Sequence, residues 1–141
     1  MDRPGRNLIH LLGIDHIVLR TGKVAELIRF YSEVLGCELE RQLKADIGLS
    51  QLRAGNALID IVDVNSKLGR VGGEAPRAEG HNVDHFCLQI AAVNEQELLD
   101  WLSSQGLDAG PFETRYGATG FGPSIYIQDP DGNTVELKPI C

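Results

Sequence analysis

The sequence repeats one short pattern: residues 14–20 read IDHIVLR, and residues 83–89 read VDHFCLQ. Each copy places an Asp-His pair before a run of aliphatic and β-branched residues, which is typical of a β-strand. Each copy is followed by an amphipathic helix pattern that ends at a glycine, Gly36 in the first half and Gly106 in the second. Repetition on this scale predicts two copies of one supersecondary unit.

Three shorter strand patterns follow each predicted helix. Glycine, asparagine, aspartate and proline residues, which favour turns, separate most of them. The predicted strands lie at residues 37–44, 47–53 and 57–64 in the first half, and at residues 107–112, 121–128 and 133–138 in the second. Both halves therefore have the order β-α-β-β-β, and the pattern predicts an α+β fold.

These units give the expected domain organisation. The sequence predicts a flexible N-terminal tail at residues 1–12 and a single domain at residues 13–141. That domain is built from a first module at residues 13–64 and a second at residues 83–140. Residues 65–82 are rich in glycine, proline and charge, and are the predicted linker.

Composition narrows the class of partner. The chain has 141 residues and a net charge of −7, so it lacks the basic balance that nucleic acids and anionic membranes attract. It has no apolar run long enough to span a membrane and no signal-peptide pattern at its start. Its three cysteines are widely spaced, which suits a reducing compartment. We therefore predict a cytoplasmic protein with a small-molecule partner, and neither nucleic acid nor membrane.

Residues 129–137 read DPDGNTVEL and join a tight turn to the last strand. Proline presets φ and glycine accepts a positive φ, so this stretch has strong turn chemistry. Because alternate residues of a strand face opposite sides, Glu136 points away from Val135 and Leu137. A carboxylate therefore lies on the polar face of this strand.

The same alternation separates an apolar face from a polar face on equivalent strands of both halves. The polar faces carry two imidazoles and two carboxylates, those of His16, Asp60, His85 and Glu136. If these faces line a common cavity, the four groups form a ligand set for a divalent first-row metal ion. The alternative is that the histidines are satisfied core residues and the carboxylates are solvated strand ends. The repeated placement favours the metal site.

The two modules, the Asp-His pairs and the DPDGNTVEL stretch resemble the vicinal oxygen chelate superfamily. This superfamily includes glyoxalase I, fosfomycin-modifying transferases, methylmalonyl-CoA epimerase, extradiol dioxygenases and bleomycin-binding proteins. The resemblance implies curved mixed sheets that form a metal-binding cleft, with the helices on the outside. It implies one divalent ion (Ni, Zn, Mn, Co or Fe), for which His16, His85 and Glu136 match three ligand positions.

Asp60 departs from the pattern of the family. Glyoxalase I usually carries glutamate at the matching position, the epimerase carries glutamine, and the transferases and dioxygenases have no ligand there. Aspartate is shorter by one methylene than glutamate. Asp60 is therefore predicted either to bind the metal, directly or through water, or to act as a base beside it, or to make neither contact.

Four further residues are predicted to bind substrate. Arg20 resembles a glyoxalase I arginine that holds a glutathione carboxylate, with a solvent-exposed strand-end arginine as the alternative. Arg115 is expected in a glycine-rich loop that either approaches a ligand or simply turns at the surface. Tyr126 and Gln128 are expected on the cavity wall, with a structural hydrogen-bonding role as the alternative.

The activity that the resemblance implies is that of a glyoxalase-like lyase or isomerase. It would act on a small oxygen-chelating substrate, such as the thiol adduct of a 2-oxoaldehyde, with Glu136 or Asp60 as the catalytic carboxylate. The alternatives are thiol transfer to an antibiotic, epimerisation, extradiol ring cleavage, or metal-free binding of a small molecule in a resistance protein. The resemblance also predicts a homodimer.

Overall fold

The computed structural model describes residues 7–140. Each half of the chain forms one helix and four strands, as the sequence predicts. The elements are, in order, β1 (His16–Thr21), α1 (Val24–Arg29), which continues as a π-helical turn (Phe30–Val34), β2 (Glu38–Gln42), β3 (Leu49–Ala54), β4 (Ala57–Asp63), a 3₁₀ turn (Gly69–Gly72), β5 (His85–Ala91), α2 (Glu95–Ser104), β6 (Glu113–Gly117), β7 (Gly120–Gln128) and β8 (Thr134–Ile140).

The two halves form two mixed sheets with the same topology. The strand order is β1-β4-β3-β2 in the first sheet and β5-β8-β7-β6 in the second. In each sheet the first and last strands of the module run parallel, and the remaining pairs are antiparallel. This repeated topology confirms the predicted α+β fold of two β-α-β-β-β units.

One buried apolar cluster is shared by both modules. It contains side chains from both helices and from one face of each sheet, as the alternation of apolar and polar residues predicts. Its members include Leu27, Tyr31, Leu52, Ile61, Leu102, Ile125 and Val135. Because the apolar faces of both sheets pack into this cluster, the polar face of each sheet lies on the side away from it.

Two hydrogen bonds join the modules at this shared core. The Tyr31 hydroxyl donates to Asp129 Oδ2 over 2.7 Å, and the Trp101 indole N–H donates to the Val34 carbonyl oxygen over 2.9 Å. Asp129 also accepts from the backbone N–H groups of Asp131 and Asn133. Burial and the Asp129 carboxylate raise the pKa of Tyr31, so the phenol remains the donor. The turn before β8 is thus fixed both locally and by the first module.

The region before β7 differs from the prediction. Residues 107–112 were expected to form a strand, but β6 begins at Glu113. Gly110 and Pro111 explain the shift, because proline removes a ladder donor and glycine weakens a strand. As a consequence, Arg115 lies inside β6, whereas the sequence placed it in a loop.

The described N-terminal residues make few contacts. Residues 7–15 have no helix or strand, and the large side chains of Leu8, Ile9, Leu11, Leu12 and Ile14 are exposed. Residues 1–6 of the predicted tail at residues 1–12 lie outside the described residues. Among residues 7–140, no helix is both long enough and apolar enough to cross a membrane.

Candidate metal centre

The second module brings a histidine and a glutamate into direct contact. Cys87 pairs with Glu136 across β5 and β8, which places His85 and Glu136 on one face. His85 Nε2 lies 3.1 Å from Glu136 Oε1, and His85 Nδ1 lies 2.7 Å from Asp84 Oδ2. A carboxylate at Nδ1 fixes the orientation of an imidazole and directs Nε2 towards a ligand. Asp84 therefore directs His85 towards Glu136.

The first module carries the equivalent pair with a looser arrangement. Val18 pairs with Asp60 across β1 and β4, so His16 and Asp60 also share a face. His16 Nδ1 lies 2.6 Å from Asp15 Oδ1, as in the second module. The hydrogen bond to Asp15 raises the pKa of His16 above its usual value, and the charge of Asp60 acts in the same direction. Here no direct contact joins the imidazole to the buried carboxylate.

Asp60 is a buried carboxylate with one unused oxygen. Only 4% of the residue is exposed. Its Oδ2 accepts a hydrogen bond from Gln51 Nε2 over 3.2 Å, but Oδ1 has no partner within the described part of the chain. An unpaired buried carboxylate oxygen is costly. It marks a position where a cation or a donor would be stabilised.

The exposure of these groups differs from the alternative interpretation of the sequence. That interpretation has buried histidines and solvated carboxylates. Instead, Asp60 and Glu136 are 4% and 6% exposed, while the side chains of His16 and His85 are 46% and 32% exposed. The carboxylates lie deep in each sheet, and the imidazoles stand nearer its surface.

The two pairs do not meet within one chain. No cluster of three or more metal-binding side chains forms among residues 7–140. The shared apolar core separates the pairs, because it packs the apolar face of each sheet between the modules. The four predicted ligands therefore do not form one cluster among the described residues, although the cavity beside His85 and Glu136 is lined by residues of both modules.

Three of the four predicted substrate-binding residues lie on the polar face of the second sheet. The Arg115 guanidinium lies 4.3 Å from the centre of the Tyr126 ring, and that ring packs edge-to-face against His85 with a centroid distance of 5.2 Å. Gln128 pairs with Thr134, in the row that contains His85. Arg115 and Tyr126 therefore lie beside the His85–Glu136 pair, and Gln128 lies at the end of the same face.

Arg20 has different contacts. Its guanidinium donates to the carbonyl oxygens of Gly69, Gly73 and Glu74, which wrap around it in the linker. Gly72 approaches so closely that a Cβ there would lie 2.2 Å from Arg20 Nε. Arg20 thus holds the linker against β1, a role that sequence reasoning did not consider.

Two residues near the second pair were not selected from the sequence. Cys87 and Lys138 share the polar face with Glu136 by strand alternation, so the signal was present in the spacing. Burial and the nearby Glu136 raise the pKa of the Cys87 thiol to about 11, although Lys138 acts in the opposite direction. Both residues line a cavity of about 1200 Å³ together with His85 and Glu136.

Comparison with known proteins gives consistent matches. A family model described as the Glyoxalase/Bleomycin resistance protein/Dioxygenase superfamily matches residues 13–137. Virulence protein STM3117 of Salmonella typhimurium is 32% identical over 130 residues, which is 89% of this chain and 82% of that protein.

Solved structures agree at the level of the fold. Lactoylglutathione lyase from Agrobacterium tumefaciens has a TM-score of 0.65 at 22% identity, over 92% of this chain and 94% of that one. The fosfomycin resistance protein FosX from Listeria monocytogenes has a TM-score of 0.68 at 19% identity, over 92% of this chain and 91% of that one. With the family model matching nearly the whole described domain, this chain belongs to the Glyoxalase/Bleomycin resistance protein/Dioxygenase superfamily.

Proposed function

We propose that this protein is a metal-dependent enzyme, a lyase or isomerase that acts on a small substrate with two adjacent oxygens. The observation that carries the proposal is the placement, on one sheet face of each module, of an aspartate-oriented histidine and a buried carboxylate. The similarity to a lactoylglutathione lyase favours a thiol adduct of a 2-oxoaldehyde as the substrate class.

The donor atoms fit a divalent ion. Two ligands that are each about 2.1 Å from a metal, at angles near 90–110°, lie about 3.0–3.4 Å apart. His85 Nε2 and Glu136 Oε1 are 3.1 Å apart. The unpartnered Oδ1 of Asp60 would lose its burial cost beside a cation. His16, His85, Glu136 and Asp60 are therefore the proposed metal ligands, with Ni, Zn, Mn, Co or Fe as candidates.

A second copy of the chain is needed to complete this site. We place His16 and Asp60 of one copy opposite His85 and Glu136 of another, because the single chain keeps the two pairs apart. Large apolar side chains at residues 8–14, Tyr116 and Phe121 are exposed, and a homodimer would cover such surface. The small-molecule substrate would thus bind between the two copies of a homodimer.

The residues of the chain would divide the chemistry as follows. A bound divalent ion would supply Lewis-acid polarisation of a substrate oxygen. Asp15 and Asp84 keep the proton of each imidazole on Nδ1, so that Nε2 can act as a ligand. Glu136 or Asp60 would accept the proton from the carbon that bears the thiol and return it to the neighbouring carbonyl carbon, while the hydroxyl proton of the first carbon moves to the oxygen of the second. Arg115, Tyr126 and Gln128 would form the wall that orients the substrate.

The first test measures metal content and turnover. Tag-free protein should hold divalent metal in stoichiometric amount and isomerise the thiohemiacetal of a 2-oxoaldehyde. The His16→Ala variant should lose both, whereas the His81→Ala variant, which changes an exposed histidine outside the strands, should keep both. Absence of turnover with every divalent metal tested would contradict the lyase assignment. Absence of metal binding would contradict the metal site.

The second test separates a site shared by two copies from a site within one chain. The variants His16→Ala and Glu136→Ala are co-expressed with different affinity tags, and the mixed dimer is isolated. If each site combines the first module of one copy with the second module of the other, the mixed dimer keeps one intact site, or about half the wild-type metal. A mixed dimer that binds no metal would contradict the shared site.

A further inference from the structure

Lys138 is a buried cation beside the proposed metal ligands. It lies on β8, two residues after Glu136 and on the same face. Only 3% of the residue is exposed. Its side chain passes over the β6–β7 hairpin, where Gly117 and Gly122 leave room: a Cβ on these glycines would lie 3.4 Å from Lys138 Cδ and 3.7 Å from Lys138 Cε.

The ammonium group of Lys138 has little compensation for its charge. It donates one hydrogen bond, to the carbonyl oxygen of Arg115 over 2.5 Å. Within residues 7–140 no carboxylate lies within ion-pair distance of it. A buried ammonium group without an anionic partner is costly, and it is stabilised when an anion binds beside it.

A second cation lies near Lys138, but it has its own partners. Arg115 donates to the carbonyl and hydroxyl oxygens of Ser124 and to the Glu113 carboxylate, and it stacks on Tyr126. Its charge is therefore balanced within the β6–β7 hairpin. The charge of Lys138 is the one that stays available to a ligand.

Lys138 borders the cavity that contains the proposed site. Lys138, His85 and Glu136 line the same cavity of about 1200 Å³. The protein as a whole has a net charge of −7, which repels small anions. A local cation at the site is the means by which an acidic protein attracts an anionic substrate.

We propose that Lys138 binds an oxyanion of the substrate, a carboxylate or a phosphonate, next to the His85–Glu136 pair. This inference deepens the proposed function by giving the substrate a negative charge, and it rests on the proposed site of the second module. It requires neither a bound metal nor turnover, so it can be tested separately from both.

The experiment uses metal-free full-length protein with ¹³C and ¹⁵N labels in lysine. Methylphosphonate, acetate and the neutral analogue acetamide are titrated while the Cε and Nζ resonances of each lysine are recorded. Saturable shifts of the Lys138 resonances with either anion, and none with acetamide, are the expected result. Comparison of the two anions shows which charge and shape the site prefers. Absence of any Lys138 response to both anions would overturn the proposal, as would an ammonium already paired with a carboxylate of a second copy.

Variants provide an independent measure of affinity. Lys138→Met keeps an apolar stem and removes the charge, and it should weaken binding of the preferred anion by about tenfold or more. Lys138→Arg should recover most of that loss. Lys67→Met, which changes an exposed lysine of the linker, is the matched control and should bind as the wild type does. Equal affinity in Lys138→Met and wild type would contradict the proposal. If Lys138→Met fails to fold, the wild-type titration still decides the question.

Discussion

The two modules share a backbone plan and differ in what surrounds their carboxylates. Strand register makes His16 and Asp60 the counterparts of His85 and Glu136. In the second module the imidazole already contacts the carboxylate. In the first module the carboxylate bonds to Gln51 and keeps one oxygen unpartnered. The repeat thus preserves the donor groups while changing how each is held.

The residues beside the two carboxylates differ more between the modules than the carboxylates and histidines do. Val18 and Val62 lie beside Asp60 in the positions that Cys87 and Lys138 occupy beside Glu136. Neither valine can bind an anion or move a proton. Under the proposed function, the first module would therefore mainly hold the metal ion, whereas the second would also contact the substrate. Two modules with the same backbone topology can thus differ in function through their side chains alone.

The largest expected difference concerns the two carboxylates. Glu136→Gln should lower kcat/KM by about 10³-fold, because it removes the proposed base and one proposed metal ligand. Asp60→Asn should cost about tenfold, because it removes the charge but keeps one oxygen that can still accept. Steady-state kinetics with metal analysis of each variant measures both effects. Equal losses would show that the modules contribute alike.

The next largest effect should be on the free energy of unfolding, when a hydrogen bond between the modules is removed. Tyr31→Phe removes the buried hydroxyl that donates to Asp129, and should lower the free energy of unfolding by about 1–3 kcal/mol. Trp101→Phe removes a second inter-module donor and should cost less, because Trp101 is partly exposed. Urea unfolding measures both changes. A Tyr31→Phe variant as stable as wild type would show that the Tyr31–Asp129 hydrogen bond does not stabilise the contact between the modules.

Arg20 allows a test of its two proposed roles. Arg20→Gln should release the linker, so that protease cleavage within residues 65–82 becomes about tenfold faster. Gln89→Ala changes the equivalent exposed position of the second module and serves as the control. KM should change by less than about twofold if Arg20 only holds the linker. A large rise in KM without faster cleavage would instead support the substrate carboxylate contact that the sequence predicts.

The smallest effect concerns the pKa of His16. In metal-free protein, NMR titration should give His16 a pKa above 6.5, because Asp15 accepts a hydrogen bond from the protonated ring. Asp15→Asn should lower that pKa. Since a metal ion competes with a proton for the imidazole, loss of metal on acidification should then occur at a lower pH in the variant. An unchanged titration curve would show that Asp15 does not orient this ring.

The sequence predicts much of the fold because strand alternation and repetition are local signals. The order of helices and strands in both halves, and the face on which His16, His85 and Glu136 lie, follow from spacing alone. The position of β6 was misplaced because one proline outweighs the apolar residues around it. The contacts of Arg20 could not be predicted, since they involve backbone carbonyls that are far away in the sequence.

The orientation of the two modules was also beyond the sequence. Both sheets have one apolar and one polar face, and such faces are compatible with a cleft inside one chain or with a site between two chains. The choice depends on how Leu102, Tyr31 and their neighbours pack in three dimensions. Period-two patterns do not contain that information.

The bond between Tyr31 and Asp129 has a consequence for the order in which the chain folds. The two residues are 98 positions apart, so their contact closes a long loop and forms slowly compared with local turns. During synthesis the first helix is complete long before Asp129 is added. The turn that carries Glu136 into place can therefore be locked to the first module only after Asp129 has emerged from the ribosome, long after the first module has done so.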